Sequence, residues 1–185
     1  MSSLTTAHSQ PQPPTRAART SGVGRAAGLL VVALGLGSLV GAVWGVLRPG
    51  YDVVVEDGQL VVNLAASPVN VEFDSYGWFA VLTSLLGVLL ALIAFAFNNG
   101  RATAFVLLWV VVTSFAGAFA IYTFGMWSTG FVSDKPGHEG LVDGSRLRIV
   151  PALQPGVVWL VGPYMSVVTY WLLAFASPEP EQRER

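Results

Sequence analysis

The sequence contains no cysteine, and charged residues are scarce: 10 Lys and Arg and 11 Asp and Glu make up only 11% of its 185 residues. The lack of cysteine excludes disulfides, thiolate metal sites, cysteine nucleophiles and cysteine lipidation. Soluble globular proteins carry roughly 25% charged residues, so these charges are too few to cover a water-soluble particle. The net charge of −1 also lacks the excess of basic residues typical of nucleic-acid binding. Soluble enzymes, nucleic-acid-binding proteins and disulfide-stapled secreted domains are therefore poor matches.

Long apolar runs dominate instead, because 53% of the residues are hydrophobic. Each of the four longest charge-free windows exceeds the ~20 residues that cross a bilayer as a helix. We therefore predict an all-α membrane protein, a four-transmembrane-helix bundle in contact with the lipid bilayer. The windows cover residues 26–47, 75–100, 102–133 and 149–178, and the predicted spans are 27–47, 78–97, 103–126 and 156–176.

The charges outside the spans predict the orientation. Arg16, Arg19 and Arg25 precede the first span, Arg101 lies between the second and third, and two arginines end the sequence. Positive charge near a span end resists translocation, so we predict a multi-pass protein of the plasma (inner) membrane with both termini cytoplasmic. The polar residues 1–25 are predicted to be a disordered tail. The membrane domain then covers 26–177, with outer loops 48–76 and 127–155, and residues 178–185 form a second cytoplasmic tail.

The first outer loop has the pattern of β-structure. Two β-branched runs, 53–56 and 59–64, flank Asp57-Gly58, and such a dipeptide is a strong hairpin signal because both residues tolerate positive φ. Residues 69–74 then alternate, with Val69, Val71 and Phe73 on one face, which predicts a half-buried strand.

The second outer loop repeats the pattern more weakly, with Asp143-Gly144 between 141–142 and 146–150. Together the two loops predict a small extracytoplasmic β-sheet. Within it we expect Glu72 and Asp74 to pair with Arg146 and Arg148, each exposed pair contributing only a few tenths of a kcal/mol. The alternative is a pair of solvated polar loops.

Chemistry-bearing residues are missing from the spans, which contain no Asp, Glu, Lys, Arg or His. This disfavours proton-coupled transporters, pumps and intramembrane proteases. In the second outer loop, Asp134, His138, Glu139 and Asp143 could offer a weak divalent-ion site, but they do not form an H-E-x-x-H motif and a solvated loop is the preferred interpretation. We predict no catalytic residues, no metal and no cofactor.

Small residues mark the first span. Gly37, Gly41 and Gly45 recur every fourth residue, so they form a ridge along one helix face that permits close helix contact. The ridge either packs within the bundle or serves as a partner interface. In the fourth span, Pro163 removes a backbone donor and predicts a helix kink.

Two short stretches carry a family resemblance. Gly41-Ala-Val-Trp-Gly-Val-Leu-Arg-Pro49, which leads into a valine-rich hairpin, and Asp74-Ser-Tyr-Gly-Trp78 resemble an uncharacterised actinobacterial family of small four-span membrane proteins. The layout is more distantly similar to claudin-like accessory subunits, although the claudin cysteine pair is missing. The resemblance implies an accessory role in envelope complexes, with lipid import as the setting.

Three functions follow from these patterns. The first is a non-catalytic accessory or scaffold subunit of a cell-envelope membrane complex, with other membrane-protein subunits as partners. The alternative is a small carrier or channel for an apolar solute, with a water-accessible cavity lined by Thr83, Thr113 and Ser166 and with Pro163 as hinge. An enzyme using the outer-loop acids ranks last, because no nucleophile, base and orienting residue are spaced for one another.

Overall fold

The computed structural model describes residues 16–134 and 142–177, with side chains from residue 22 onward. It is mostly helical and adds a three-stranded antiparallel sheet, which confirms the predicted four long apolar helices and small sheet. Four helical segments of the described residues are long and apolar enough to cross a membrane, and the fourth, Gly156–Ala176, reaches that length only together with a 3₁₀ turn. The helices are α1 (Arg16–Leu47), α2 (Val71–Phe97), α3 (Ala104–Thr129) and α4 (Val161–Ala176), which follows a 3₁₀ turn (Gly156–Leu160); the strands are β1 (Tyr51–Glu56), β2 (Gln59–Val62) and β3 (Arg146–Ile149).

Helix α1 begins well before the first predicted span. The composition predicts a disordered tail over residues 16–25, but these residues are helical in the structure. Ala17 and Ala18 and the neighbouring arginines are good helix formers, so the apolar helix extends backward through them. Residues 1–15 of the predicted tail and the second tail, 178–185, lie outside the described residues.

The bundle consists of two closely packed helix pairs, α1 with α3 and α2 with α4. A Cβ placed on Gly37 would lie 2.6 Å from the carbonyl oxygen of Gly117, and one on Gly41 would overlap the backbone of Ile121. Gly45 meets Gly125 in the same way. The glycine ridge therefore lies against α3, inside the bundle.

The start of α1 and the end of α4 lie at the same end of the bundle. The Arg25 guanidinium donates to the Phe97 carbonyl at 3.1 Å, and the Trp109 indole donates to the Ala26 carbonyl at 3.0 Å. The backbone N–H of Thr103 donates to the Tyr170 hydroxyl at 3.1 Å. These contacts bring together the first half of α1, the turn between α2 and α3, and the last turns of α4. The sheet occupies the opposite end.

The sheet has the order β2-β1-β3. Asp57 (φ 52°) and Gly58 (φ 70°) form the turn between β1 and β2, so the predicted first hairpin is confirmed. In the second loop, β3 pairs with β1, with Leu147 opposite Val53, and Val142 does not belong to a strand. Leu141 itself lies outside the described residues.

The strand predicted over residues 69–74 is wrong, because α2 begins at Val71. Val71 is buried, but Val69 and Phe73 are 80% and 73% exposed, so the alternating face does not exist. A helical period replaces it, since Val71, Ser75 and Phe79 are buried at every fourth residue.

Pro163 occupies the first turn of α4, two residues after Val161. Its missing N–H is one of those that a helix start leaves unbonded in any case. The chain changes from the 3₁₀ turn to α-helix just before the proline, and the kink at Pro163 stays a prediction.

Candidate functional site

A buried arginine lies where α1 meets the sheet. Arg48 follows the last residue of α1, and only 1% of its surface is exposed. Its guanidinium donates to the Pro151 carbonyl at 2.8 Å, to the Ser75 hydroxyl at 3.4 Å and to the Met126 sulfur at 3.3 Å. One residue thus connects the end of α1 to α2, to α3 and to the loop before α4.

The surroundings of this guanidinium are mostly neutral. All three of these acceptors are uncharged, and the guanidinium carbon lies 5.2 Å from the centre of the Trp44 ring, in cation–π range. Burial lowers the pKa of Arg48, because desolvation disfavours the charged form, and Tyr122 partly offsets this lowering. An arginine nevertheless stays protonated at neutral pH. The structure therefore holds a desolvated cation at the sheet end of the bundle.

Arg48 also lines two cavities. The larger, about 540 Å³, lies between α1 and α2 and is called here the α1–α2 groove. Its walls are apolar apart from Arg48 and Asp74. The smaller cavity, about 320 Å³, is more polar and includes Glu72, Tyr76 and Gln154. The α1–α2 groove is lined by Leu39, Val40, Val43, Trp44, Leu47, Arg48, Pro49, Asp74, Trp78 and Leu82.

Aromatic side chains pack together in the sheet-end half of the bundle. The ring of Phe79 lies 5.8 Å from that of Trp44 and 5.7 Å from that of Trp159, and Trp159 lies 5.2 Å from Tyr122. These aromatics connect the four helical segments, and the buried Trp44 forms part of the groove wall. Trp78, by contrast, is 58% exposed on the outer side of α2.

The four residues predicted to form sheet charge pairs do not do so as expected. Glu72 and Asp74 lie in the first turn of α2, where negative charge complements the helix dipole. Arg148, in β3, stands opposite Asp52 of β1, and its guanidinium donates to the Arg48 carbonyl at 3.0 Å. The prediction required Glu72 and Asp74 to lie on a strand, and it is wrong because that segment is helical.

The two edge strands of the sheet differ in whether their outward backbone groups have hydrogen-bond partners. At the β3 edge, the backbone N–H of Asp134 donates to the Arg148 carbonyl, and the backbone N–H of Arg148 donates to the Asp134 carboxylate, each at 2.8 Å. At the β2 edge, the antiparallel register turns the N–H and C=O groups of Leu60 and Val62 away from β1. Both side chains are partly exposed, and β2 contains no charged residue. Among residues 16–134 and 142–177, nothing pairs with the β2 edge, and its strand carries no charge.

The hydroxyls predicted to line a solute cavity are instead buried within the bundle. Thr83 donates to the Phe79 carbonyl at 2.9 Å, Thr113 to the Trp109 carbonyl at 3.0 Å and Ser166 to the Pro163 carbonyl at 2.7 Å. These bonds lie within single helices. The hydroxyls line neither of the two cavities beside Arg48.

The outer-loop acids serve as backbone acceptors. Asp143 accepts from the Gly58 N–H at 2.9 Å, so it ties the second loop to the β1–β2 turn, and Asp134 binds β3 as described. His138 and Glu139 lie outside the described residues. Among residues 16–134 and 142–177, no group of three or more His, Asp and Glu is placed to hold a metal ion.

Comparison of the chain with protein-family models, with curated proteins and with solved structures finds no match. The interpretation of the site therefore depends on its own geometry. In the sequence, Arg48 stands out only as a residue of the stretch Gly41–Pro49 at the end of the first span. The sequence does carry a signal for the contact between Trp44 and Arg48, because residues four apart share one face of a helix end.

Proposed function

We propose that the chain is a multi-pass plasma-membrane protein that acts as a non-catalytic accessory or scaffold subunit of a cell-envelope complex. Membrane embedding is supported by four helices of spanning length whose outward faces carry large apolar side chains. Val31, Leu85, Leu108 and Phe175 are examples, all with more than half of their surface exposed. In water such a surface would favour aggregation, whereas in lipid it costs nothing.

The proposed orientation has both termini in the cytoplasm. Arg25 and Arg101 lie at the end of the bundle where α1 begins and α4 ends, and Asp52, Glu56 and Asp57 lie at the sheet end. The sheet end also carries Arg48, Arg146 and Arg148, so the orientation is argued from the arginines directly before the first span and from Arg101 in the short turn after the second, where positive charge resists translocation most. A reporter fused after Arg185 should be active only on the cytoplasmic side, and activity outside would contradict the proposal.

The accessory role depends on one observation, the open edge of β2. An unpaired strand edge invites the addition of a further strand, and soluble proteins usually protect such edges with charge, proline or a covering segment. The β3 edge has such a cover in Asp134, but β2 presents Leu60, Val61 and Val62. We propose that a strand of a partner membrane subunit pairs with this edge.

The test replaces Val62 by proline, because the Val62 N–H points outward and its loss leaves the β1–β2 hydrogen bonds intact. Solubilised in mild detergent from its native membrane, the wild-type chain should migrate on a native gel in a complex larger than itself. The Val62→Pro variant should lose that complex by at least tenfold.

The matched control is Val69→Lys, which alters an exposed valine in the same loop but away from the sheet edge. It should keep the complex. Val62→Lys, which adds a protective charge at the edge itself, should lose it. Recovery of the wild-type chain only as a free monomer would contradict the accessory role.

The carrier alternative lacks comparable support. It required water access to Thr83, Thr113 and Ser166, and each of these hydroxyls is buried and donates to a carbonyl of its own helix. The family resemblance implies lipid import as the setting. We use this implication only to choose lipid-import complexes as the place to look for the partner.

A further inference from the structure

The walls of the α1–α2 groove are apolar along most of its length, and its two charged residues lie at one end. Leu39 and Leu82 lie toward the middle of the bundle, whereas Arg48 follows the end of α1 and Asp74 lies in the first turn of α2. At about 1.5 Å per residue, α1 rises about 13 Å between Leu39 and Arg48. An extended hydrocarbon chain fits such a wall, and a polar group is required only at its mouth.

Arg48 places a positive charge at the mouth of the groove, just beneath its surface. A guanidinium carries five N–H donors, and the described hydrogen bonds account for three. One acceptor is a thioether sulfur and another is a hydroxyl at 3.4 Å, so two of the three bonds are weak. A buried guanidinium in such surroundings favours an anion, and phosphate is an anion that arginine binds well.

Asp74 restricts the kind of anion. Its carboxylate lies at the same mouth and would repel a ligand that carries negative charge alone. A headgroup with one phosphate and one ammonium would satisfy both residues, with opposite charges facing each other. Trp78 is exposed beside the mouth and lines the groove, which is the position that an interfacial tryptophan takes at headgroup level.

We propose that the α1–α2 groove binds one phospholipid of the phosphoethanolamine type. The phosphate lies at the mouth of the groove, held by the positive charge of the buried Arg48, the ammonium faces Asp74, and one acyl chain runs along Leu39 and Val43. This proposal rests on the proposed membrane embedding, but not on the accessory role.

The experiment uses the full chain, reconstituted in vesicles with equal amounts of phosphatidylethanolamine and phosphatidylglycerol and then extracted into mild detergent. Native mass spectrometry counts the lipids that remain bound. We expect one phosphatidylethanolamine per chain, retained at least fivefold over phosphatidylglycerol. Arg48→Gln should reduce this retention at least tenfold, whereas Arg146→Gln, at an exposed arginine of β3, should leave it unchanged.

A second pair of variants protects the test against misfolding of Arg48→Gln. Val43 is 54% exposed and lines the groove, so Val43→Trp should block the acyl chain while leaving Arg48 in place. Val31→Trp, at an exposed valine of α1 that does not line the groove, is its control. Asp74→Asn should keep the lipid but remove the preference for phosphatidylethanolamine.

Three outcomes would overturn the proposal: no lipid retained by the wild type, a preference for phosphatidylglycerol, or equal retention in the wild type and in both groove variants, which indicates annular lipid only. The native-gel assay with Val62→Pro is independent of these readings. A chain that assembles but retains no lipid overturns only the lipid site, and a chain that retains the lipid but stays monomeric overturns only the accessory role.

Discussion

Helix α1 has two flanks of opposite character. Toward α3, Gly37 and Gly41 let the two backbones touch, so that even a methyl group would overlap the neighbouring helix. Toward α2, Leu39 and Val43 line a groove of about 540 Å³. Hydrophobicity does not distinguish the flanks, because all of these residues are apolar or small.

The difference shows that side-chain volume, rather than apolarity, positions the helices of this bundle. In the membrane that we propose for this chain, lipid tails are as apolar as leucine, so a helix gains little by burying leucine against another helix, but it gains dispersion contacts where small residues allow a close approach. Helix α2 follows the same rule on its other side, where Gly87 meets Gly162 of α4.

The largest expected effect comes from filling the tight flank. Gly41→Leu places a side chain where the backbone of Ile121 lies, so α1 and α3 must separate along their length. We expect a loss of more than about 3 kcal/mol in the free energy of unfolding, measured by denaturant titration in mild detergent.

Gly35→Leu is the matched control, because a Cβ at Gly35 meets nothing within 4 Å. Its unfolding free energy should stay within about 0.5 kcal/mol of the wild type or rise slightly, since leucine is a better helix former than glycine. Similar losses in both variants would show that the ridge is incidental to packing.

The sequence predicted both the tight flank and the hairpin because each depends on a local pattern. Gly37, Gly41 and Gly45 share a helix face through their spacing alone, and Asp57-Gly58 forms its turn with residues directly beside it. The six-residue alternation at 69–74 misled because it is short. Val71 also begins a helical period that continues through Ser75 and Phe79, and the longer pattern prevailed.

Arg48 and the groove could not be predicted in the same way. An arginine at the end of a span is ordinarily a solvated flank, and its burial here depends on Ser75, Met126 and Pro151, which lie 27 to 103 residues away. The groove is likewise a gap between two helices. The distance between two such helices cannot be read from a local sequence pattern.

A smaller effect is expected at the second tight contact. A Cβ on Gly87 would overlap the carbonyl oxygen of Gly162, so Gly87→Ala should push α2 from α4 and destabilise the chain by about 1 to 2 kcal/mol in the same titration. Gly77→Ala, in the same helix but with open space around it, should be neutral or slightly stabilising. If Gly87→Ala were neutral too, close approach would not be a general rule of this bundle.

The smallest effect is expected on the open flank. Val43→Trp adds far more volume than Gly87→Ala, yet the new side chain can extend into the groove rather than into a neighbouring backbone. In detergent without added phospholipid, its unfolding free energy should therefore stay within about 0.5 kcal/mol of the wild type. A loss of more than about 1 kcal/mol would mean that α1 and α2 already meet closely. A neutral result beside a severe Gly41→Leu would show that one helix combines a flank fixed by backbone contact with a flank that has room for a large side chain.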